Sequence, residues 1–416
     1  MRPGNRPDLS PTTDGAAAAA PRPRLFTSTF AAVAAASLAY FTGVGMLIPA
    51  LPRYVEGPLG GGDVAVGFTF GVFSVSAVLL RPVAGILGDR RGRRPLMLAG
   101  ATIVAASVAA YGLADTPGVL AGIRLVSGAG EALFFVGMAT AFTDLAPPER
   151  RGEAMSLASL ALYLGIGVGP LLAEALLART GFTAVWLGSA AAALIAVGLV
   201  LRTPETRPAD AIDSPPATRS PRRLVHPAGL LPGVVLLASI VGMAGFVAFV
   251  PLHVGDLGMR GAGLVLLLFS GTVVLVRSLG ARLPDVLGHG RAIRLALTLS
   301  LVGLATIGSW RQPGGLLLGT AVFGVGIALL TPSVFALAVA GVPARERGQV
   351  MATTSAFIDL AFGLGPAAMG IVAALFGRPS VFLAGAAVAA AGLVLVAAAG
   401  VGRPAPAAAV ARATAT

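Results

Sequence analysis

Three ionisable side chains, Arg124, Glu131 and Asp359, lie inside long apolar stretches of the sequence. A charge within a membrane span costs at least about 2.5 kcal/mol unless it is paired or hydrated, so such residues are functional candidates. Proton coupling requires a carboxyl group that loads and releases a proton, and Glu131 and Asp359 both qualify. Arg124 and Glu131 are seven residues apart, which places them on one helix face and lets both line a cavity. Alternatively, Arg124 neutralises the carboxylates in a structural ion pair.

The stretches that hold these charges are long enough to cross a bilayer. Of the 416 residues, 56% are hydrophobic and 12% are charged, and the mean hydropathy is +0.86. Soluble domains carry about twice that charged fraction. The apolar residues fall into blocks of roughly 20, the length of a transmembrane helix. The sequence therefore predicts an integral membrane protein.

The composition excludes several kinds of chemistry. The chain has no lysine, which a Walker A nucleotide-binding loop requires. It has no cysteine, so disulfides, thiolate zinc sites and iron–sulfur clusters are excluded. The three histidines are scattered, and no nucleophile–base pair is visible. We predict no enzymatic activity, no cofactor and no metal site.

The apolar residues form twelve blocks bounded by Pro, Gly or charged residues. The blocks cover residues of about 29–51, 64–84, 95–114, 117–143, 153–177, 183–201, 228–251, 262–281, 294–310, 314–341, 349–375 and 380–401. Residues 202–226 have the Pro, Ser and mixed charges of a flexible linker. The predicted organisation is a disordered cytoplasmic tail at 1–27, six-helix bundles at 28–201 and 227–401, this cytoplasmic linker, and a cytoplasmic tail at 402–416.

The arginines predict the orientation. With the N-terminus inside, cytoplasmic segments hold 22 of the 30 arginines, external loops hold five and spans hold three. Positive residues concentrate on the cytoplasmic side of membrane proteins. The sequence thus predicts a multi-pass protein of the inner (plasma) membrane with both termini in the cytoplasm. The net charge of +12 follows from these loops, so we predict no nucleic-acid partner.

The chain contains an internal repeat. Shifted by 196 residues, it aligns with itself without gaps over about 90 residues. The matched positions include Arg81 with Arg277, Asp89 with Asp285, Gly92 with Gly288, Gly169 with Gly365, and Pro170 with Pro366. Both copies place a basic loop on the same side, so each contains an even number of spans. This predicts two parallel six-helix halves around a central cavity.

Three motifs identify a family resemblance. The loop GILGDRRGRRP at 85–95 resembles the signature loop of the major facilitator superfamily. Arg124-x-x-x-Gly128-x-Gly130 is similar to the motif of its proton-coupled members, and Gly165-x-x-x-Gly169-Pro170 resembles the antiporter motif of its drug exporters. The resemblance covers nearly the whole chain and implies an all-α membrane protein with twelve transmembrane helices in two parallel six-helix repeats. The antiporter motif usually ends in two glycines, and here those positions hold Ala173 and Glu174.

The resemblance also implies a cytoplasmic gate, because the loop's aspartate lies beside the start of the eleventh helix in the family. We expect the gate to consist of Gly85, Asp89, Arg90, Gly92, Arg93, Arg94, Asp144, Asp285 and Arg291. The two loop glycines are expected where helices approach or the backbone turns. The alternative is that the arginines only set topology. Arg81 and Arg277 are expected to serve the gate or topology rather than to bind substrate.

A group of small residues is expected to bend two helices. The group comprises Gly165, Gly169 and Pro170 in the fifth span and Gly365 and Pro366 in the eleventh. These residues also allow close helix packing. Ordinary small-residue packing without a pivot is the alternative.

These observations predict a secondary transporter that works by alternating access. The first and seventh spans have few polar side chains, which favours a hydrophobic or amphipathic cargo over a sugar. We predict proton-coupled efflux of a small molecule such as a drug or secondary metabolite. The alternatives are proton-linked uptake of a metabolite and a non-transporting sensor or scaffold. The expected partners are the substrate, protons and the lipid bilayer, with a monomer as the working unit.

Overall fold

A computed structural model describes residues 25–147, 150–207, 225–280 and 283–401, which form helices and the turns between them. We number the twelve long helices in chain order: α1 Ser28–Glu56, α2 Asp63–Arg91, α3 Arg93–Ala109, α4 Pro117–Leu145, α5 Arg151–Thr180, α6 Phe182–Leu201, α7 Pro227–Asp256, α8 Gly263–Leu279, α9 His289–Ser309, α10 Pro313–Val339, α11 Ala344–Phe376 and α12 Pro379–Ala398. A 3₁₀ turn, Ala110–Leu113, follows α3, and a five-residue helical turn, Leu283–Leu287, precedes α9.

Capping residues fix where several helices begin. The side chain of Thr27 accepts a hydrogen bond from the backbone N–H of Phe30, and Thr116 does the same for Val119. Such caps satisfy amide groups that have no partner within the helix. Pro117 and Pro313 occupy the first helical position of α4 and α10, where proline costs no hydrogen bond.

Eleven of the helices are long and apolar enough to cross a membrane. The shorter one is α8, an apolar helix of 17 residues. Because consecutive helices run in opposite directions, the loops alternate between two ends of the molecule. We call the end that carries Arg90–Arg94 the basic end and the opposite one the far end. The predicted all-α fold with twelve helices is confirmed.

The repeat is visible in the backbone. Gly92 and Gly288 occupy equivalent turns with φ of +101° and +78°. Gly181 and Gly377 form a second equivalent pair with φ of +80° and +82°. Side chains with a Cβ atom are strained in this region, so both copies need glycine at the same corners. The equivalent turns are consistent with the two parallel six-helix repeats predicted from the sequence.

The helices pack through small residues. A Cβ atom on Gly165 would lie 2.7 Å from the α1 backbone, and one on Gly130 would lie 2.8 Å from the carbonyl oxygen of Gly100. Lipid is as apolar as a leucine side chain, so close van der Waals contact, rather than burial from water, holds such helices together. Large aromatic side chains, including Trp186, fill the remaining interior.

The two halves meet through repeat-related helix pairs. Helix α2 packs against α11, and the equivalent helices α8 and α5 pack against each other, with α1 and α7 in contact beside them. Most of the predicted tails and linker lies outside the described residues. The first linker residues, 202–207, are described and lie against the loop between α2 and α3.

Candidate functional site

An ion pair joins the two halves near the middle of the molecule. Arg81 of α2 donates a hydrogen bond to the carboxylate of Asp359 of α11. Their side chains are 29% and 14% exposed, respectively. The guanidinium of Arg81 also lies over the ring of Phe135 of α4, 4.9 Å from its centre. Sequence reasoning identified Asp359 but missed its partner, since Arg81 was assigned to the gate or topology.

Glu131 lies beside this ion pair. It is four residues before Phe135 on α4, and the charges of Arg81 and Asp359 both act on its carboxylate. Its Oε2 atom is enclosed and has no hydrogen-bond partner among the described residues. Phe134, three residues after Glu131, stacks on Tyr40 of α1 with ring centres 3.8 Å apart. Glu131 therefore lies among aromatic residues, and one of its carboxylate oxygens accepts no hydrogen bond from the described residues.

Arg124 is bound elsewhere. Its Nε donates to the backbone oxygen of Thr69 at 3.0 Å, and its Nη1 lies 3.4 Å from the hydroxyl of Tyr111. Its guanidinium lies 4.6 Å from the centre of the Phe73 ring. Among the described residues it forms no ion pair with Glu131 or Asp359. Its contacts join α4 to α2, and the ion pair considered from the sequence is absent there.

A charged cluster occupies the basic end of the first half. Arg93 pairs with Asp89 at 2.9 Å and with Asp144 at 3.0 Å. The side chains of Arg93 and Asp144 are nearly buried, whereas that of Asp89 is 76% exposed. These three expected gate residues come together as a unit. Between described residues, the cluster makes no hydrogen bond to the second half in this conformation.

The start of the linker caps helix α3 next to this cluster. Glu205 accepts hydrogen bonds from the backbone N–H groups of Arg93 at 2.8 Å and Arg94 at 3.1 Å. A negative charge at a helix N-terminus is stabilised by unpaired amides and the helix dipole. Gly92 is needed here because its φ is +101°, and a Cβ atom at this position would also meet the Glu205 carboxylate. The side chain of Arg94 donates a hydrogen bond to the carbonyl oxygen of Leu201 at 2.7 Å, so the start of the linker is held against α3 at a third point.

The other expected gate residues have fewer contacts. Arg90 and Arg291 are exposed, and the carbonyl oxygen of Arg90 accepts a hydrogen bond from Arg207. A Cβ atom on Gly85 would meet nothing within 4 Å, so the close packing expected at this glycine is absent in this conformation. Asp285 belongs to the helical turn before α9, and its side chain lies outside the described part of the chain.

Glu174 connects the halves at the far end. It accepts a hydrogen bond from the backbone N–H of Ala262, at the start of α8, at 2.8 Å. Its other oxygen pairs with Arg53 of α1 at 2.9 Å. Glycines 261 and 263 leave room for this carboxylate. The repeat equivalent of Glu174 is Gly370, where a Cβ atom would lie 2.6 Å from the carbonyl oxygen of Asp63. Motif comparison gave no sign of these contacts, because position 174 holds glycine in the motif.

A second far-end cluster is centred on Arg378, between α11 and α12. It pairs with Asp63 at 3.0 Å, with Asp256 at 2.9 Å and with Glu56. Asp63 and Glu56 belong to the first half, so two of these pairs cross the boundary. Partial burial alone would lower the pKa of the Arg378 guanidinium, but the hydrogen bonds that it donates to Glu56 and Asp63 hold this pKa above its ordinary value. Arg378 therefore stays charged at any physiological pH.

The expected bend residues pack closely against other helices. Gly165 and Gly169 lie against the backbone of α1, and Pro170 lies within the continuous helix α5. Gly365 faces α7, where a Cβ atom would lie 3.5 Å from the Cβ of Ala244. The carbonyl oxygen of Pro366 touches Gly67 of α2, across the boundary between the halves. Whether these positions act as pivots stays a prediction.

The contacts between the halves show which end is closed. The cross-half hydrogen bonds and ion pairs of the described residues lie at the middle, through Arg81, and at the far end, through Glu174 and Arg378. The α2–α11 contact at Gly67 also lies toward the far end. The molecule is closed at its far end.

The described residues include no group of acidic or histidine side chains that could hold a metal ion.

Two repeat-related bundles, joined by ionisable side chains at their boundary, form the architecture of a secondary transporter. The family model of the Major Facilitator Superfamily matches residues 33–310 and 260–415. The chain belongs to this superfamily, whose members are transporters and not enzymes.

Known proteins similar to this chain agree with that assignment. An uncharacterized MFS-type transporter of Salmonella typhimurium is 28% identical over 371 residues, which cover 86% of this chain and 93% of the relative. One of Burkholderia mallei is 28% identical over 398 residues, with 90% and 93% coverage. Among solved structures, the nucleoside transporter NupG has a TM-score of 0.73 at 14% identity, covering 89% of this chain and 99% of that one. The human organic anion transporter MFSD10 has a TM-score of 0.67 at 21% identity, covering 90% and 100%. At these identities the structural matches show the fold alone.

Proposed function

We propose that this transporter exports a hydrophobic or amphipathic small molecule in exchange for protons, with Asp359 and Glu131 as the proton-accepting groups. The observation that supports this most directly is the Arg81–Asp359 ion pair across the two halves, with the unpaired oxygen of Glu131 beside it. Protonation of Asp359 removes its charge and weakens the ion pair. Loading a proton is therefore coupled to the relative position of the halves, as alternating access requires.

The aromatic surroundings of Glu131 suit a cargo that competes with a proton. An ionised Glu131 would attract a lipophilic cation, and the half-buried ring of Phe135 lies one helical turn away on α4. A protonated Glu131 loses that attraction. Mutually exclusive binding of proton and cargo is the basis of antiport.

The membrane orientation predicted from the arginines assigns this conformation to a step of the transport cycle. If the basic end is cytoplasmic, the far end faces outward and this conformation is inward-facing, ready to load cargo from the cytoplasm. The Asp89–Arg93–Asp144 cluster would then contact the second half only after the two halves rotate to close the basic end. We expect the transporter to work as a monomer in the inner membrane.

Proton-linked uptake is the alternative, and it is favoured by Glu174, which occupies a position where the antiporter motif of drug exporters has glycine. The contacts of Glu174 with Ala262 and Arg53 give this residue a role in closing the far end. Either direction of transport needs that closure. Glu174 thus no longer counts against export.

Transport in inverted membrane vesicles with an imposed proton gradient tests the proposal. Lipophilic cations such as tetraphenylphosphonium and matched neutral compounds serve as candidate cargo. We expect gradient-driven accumulation in the parent and none in Asp359→Asn or Glu131→Gln. Asp359→Asn should still exchange labelled for unlabelled cargo without a gradient, and Glu131→Gln should still exchange the neutral compounds, which shows that both variants fold and bind.

The control is Glu153→Gln, which removes an exposed carboxylate whose one ion-pair partner among the described residues is Arg150. This variant should accumulate cargo like the parent. Full gradient-driven transport by both test variants would exclude these residues from coupling. Accumulation only in right-side-out vesicles would replace export by uptake.

A further inference from the structure

A second cross-half pair lies at the position equivalent to Arg81–Asp359. The repeat places Arg277 of α8 where α2 has Arg81, and Tyr163 of α5 where α11 has Asp359. The structure brings these two residues together as well, with the guanidinium of Arg277 4.8 Å from the centre of the Tyr163 ring. The two equivalent positions thus hold different contacts: an ion pair in one and a cation–π contact in the other.

The stripe of α8 that carries Arg277 faces the boundary between the halves. Ser270 lies seven residues before Arg277, and its Cβ atom would be 2.9 Å from a Cβ on Gly167 of α5. Residues seven apart lie on one helix face. Tyr163, on the partner helix, is buried. Arg277 therefore belongs to the interior boundary and not to the lipid-facing surface.

Arg277 carries a charge that the described residues leave unmatched. It forms no ion pair with them, and its enclosed Nε has no hydrogen-bond partner there. Asp359 is taken by Arg81, and Glu131 is influenced by Arg81 and Asp359. A cation–π contact offsets only part of the cost of holding an unpaired cation within a membrane. A missing anion would complete the site.

The backbone next to Arg277 differs from that next to Arg81. Helix α2 continues past Arg81 to Arg91, whereas α8 ends at Leu279, directly after Arg277. Interrupted helices at membrane depth are tolerated where they are buried in protein or line a water-filled cavity. The end of α8 thus lies in protein or beside water rather than in lipid, and Arg277 is two residues from it.

We propose that Arg277, seated on Tyr163, binds an anionic group such as a carboxylate, sulfonate or phosphate. The cargo would then be a zwitterion whose anionic group lies at Arg277 and whose cationic part lies toward Glu131. This inference rests on the proposed transport function for the identity of the ligand as cargo. The binding site itself does not depend on the direction of transport or on proton coupling.

Three probes with one aromatic body and different charge test the site: 1-naphthylacetate, its methyl ester and 1-naphthylmethylammonium. Their binding to the purified full-length protein is measured by calorimetry in nanodiscs of phosphatidylcholine. We expect the acetate to bind at least about tenfold more tightly than the ester, as one good charged contact provides. Arg277→Gln should abolish this preference and leave the affinity for the ester unchanged.

Two further variants separate charge from packing. Arg277→Lys keeps the cation and should retain much of the preference, and Tyr163→Phe keeps the ring and should bind like the parent. Arg260→Gln removes an exposed arginine of the same half and should have no effect. Unchanged preference for the acetate in Arg277→Gln, with unfolding temperatures equal to that of the parent, would overturn the proposal. Equal binding of all three probes by the parent would do the same.

A lipid headgroup could supply the same chemistry as the cargo. Adding phosphatidylglycerol to the nanodiscs distinguishes the two sources. Displacement of the acetate by this lipid in the parent identifies a headgroup as ligand and supports the site. No displacement, with the acetate preference intact, supports a cargo anion. Since binding is measured without a gradient, a parent that shows the preference but no coupled transport refutes the proposed function and leaves the site standing.

Discussion

Replacing Arg378 by glutamine is expected to open the far end of the molecule. Arg378 pairs with Glu56 and Asp63 of the first half and with Asp256 of its own half. Only the first two pairs break when the halves separate, so only they bias the conformational equilibrium. The variant also leaves three carboxylates close together without a cation, and their repulsion acts in the same direction.

The size of the effect follows from exposure. The Arg378 and Asp63 side chains are 18% and 17% exposed, so their hydrogen-bonded pair is worth about 1.5–3 kcal/mol. The Glu56 side chain is 43% exposed, and such a pair contributes about 0.2–1 kcal/mol. The two together give roughly 2–4 kcal/mol, or a shift of about 30- to 700-fold toward the state open at the far end. Salt screens the more exposed pair first.

Spin-label distance measurements detect this shift directly. The chain has no cysteine, so two introduced cysteines carry the only labels. Asp115→Cys and Arg311→Cys place them on exposed, repeat-equivalent loops at the far end, one in each half. The parent should show one short distance, and Arg378→Gln should add a dominant longer one.

Arg260→Gln is the matched control, because it removes an exposed far-end arginine that makes no ion pair with the described residues. It should leave the distances unchanged. The reasoning fails if Arg378→Gln shows the parental distribution, or if both variants shift it equally. The first result would mean that Glu174 and the helix contacts hold the far end closed without Arg378.

Two further predictions concern packing and capping. Gly67→Val places side-chain atoms against the carbonyl oxygen of Pro366, so α2 and α11 can no longer close and the far-end distance should lengthen with loss of transport. Overpacking of this kind costs about 1–3 kcal/mol; Gly62→Ala, where a Cβ atom meets nothing within 4 Å, should behave like the parent. Glu205→Ala removes the acceptor for the backbone N–H groups of Arg93 and Arg94 and should destabilise the protein by about 1 kcal/mol, seen as a lower unfolding temperature in detergent. Unfolding at the parental temperature, or an equal loss in Glu153→Ala, would show that Glu205 is not an effective cap.

Much of the fold could be predicted from local sequence. Apolar length identified all twelve helices, and Pro, Gly and charge marked their ends within a few residues. The larger differences occur at polar ends such as Asp89–Arg91 of α2 and 344–348 of α11, which continue as helix beyond the apolar block. Helical hydrogen bonds do not require apolar side chains, so hydropathy underestimates these helices.

The candidate site could be predicted only in part, because its contacts cross the boundary between distant segments. Spacing grouped Arg124 with Glu131, but one shared helix face says nothing about which neighbour each side chain reaches. Arg124 donates hydrogen bonds to Thr69 and Tyr111, and Arg81 forms an ion pair with Asp359. The repeat could have indicated that Arg81 lies at the boundary between the halves, since Arg81 recurs as Arg277. The position equivalent to Asp359 is Tyr163.

The two repeat-related interfaces carry different chemistry at each depth. Between α2 and α11, Gly370 allows close backbone contact at the far end, and the charged contact lies at the middle, in Arg81–Asp359. Between α5 and α8 the order is reversed: Glu174 holds the far end, and an aromatic ring receives Arg277 at the middle. Neutralising Asp359 should therefore weaken the α2–α11 interface while the α5–α8 interface keeps its contacts. If Asp359 accepts the coupled proton as proposed, that side of the boundary loosens first, and an anion at Arg277 would act on the other side.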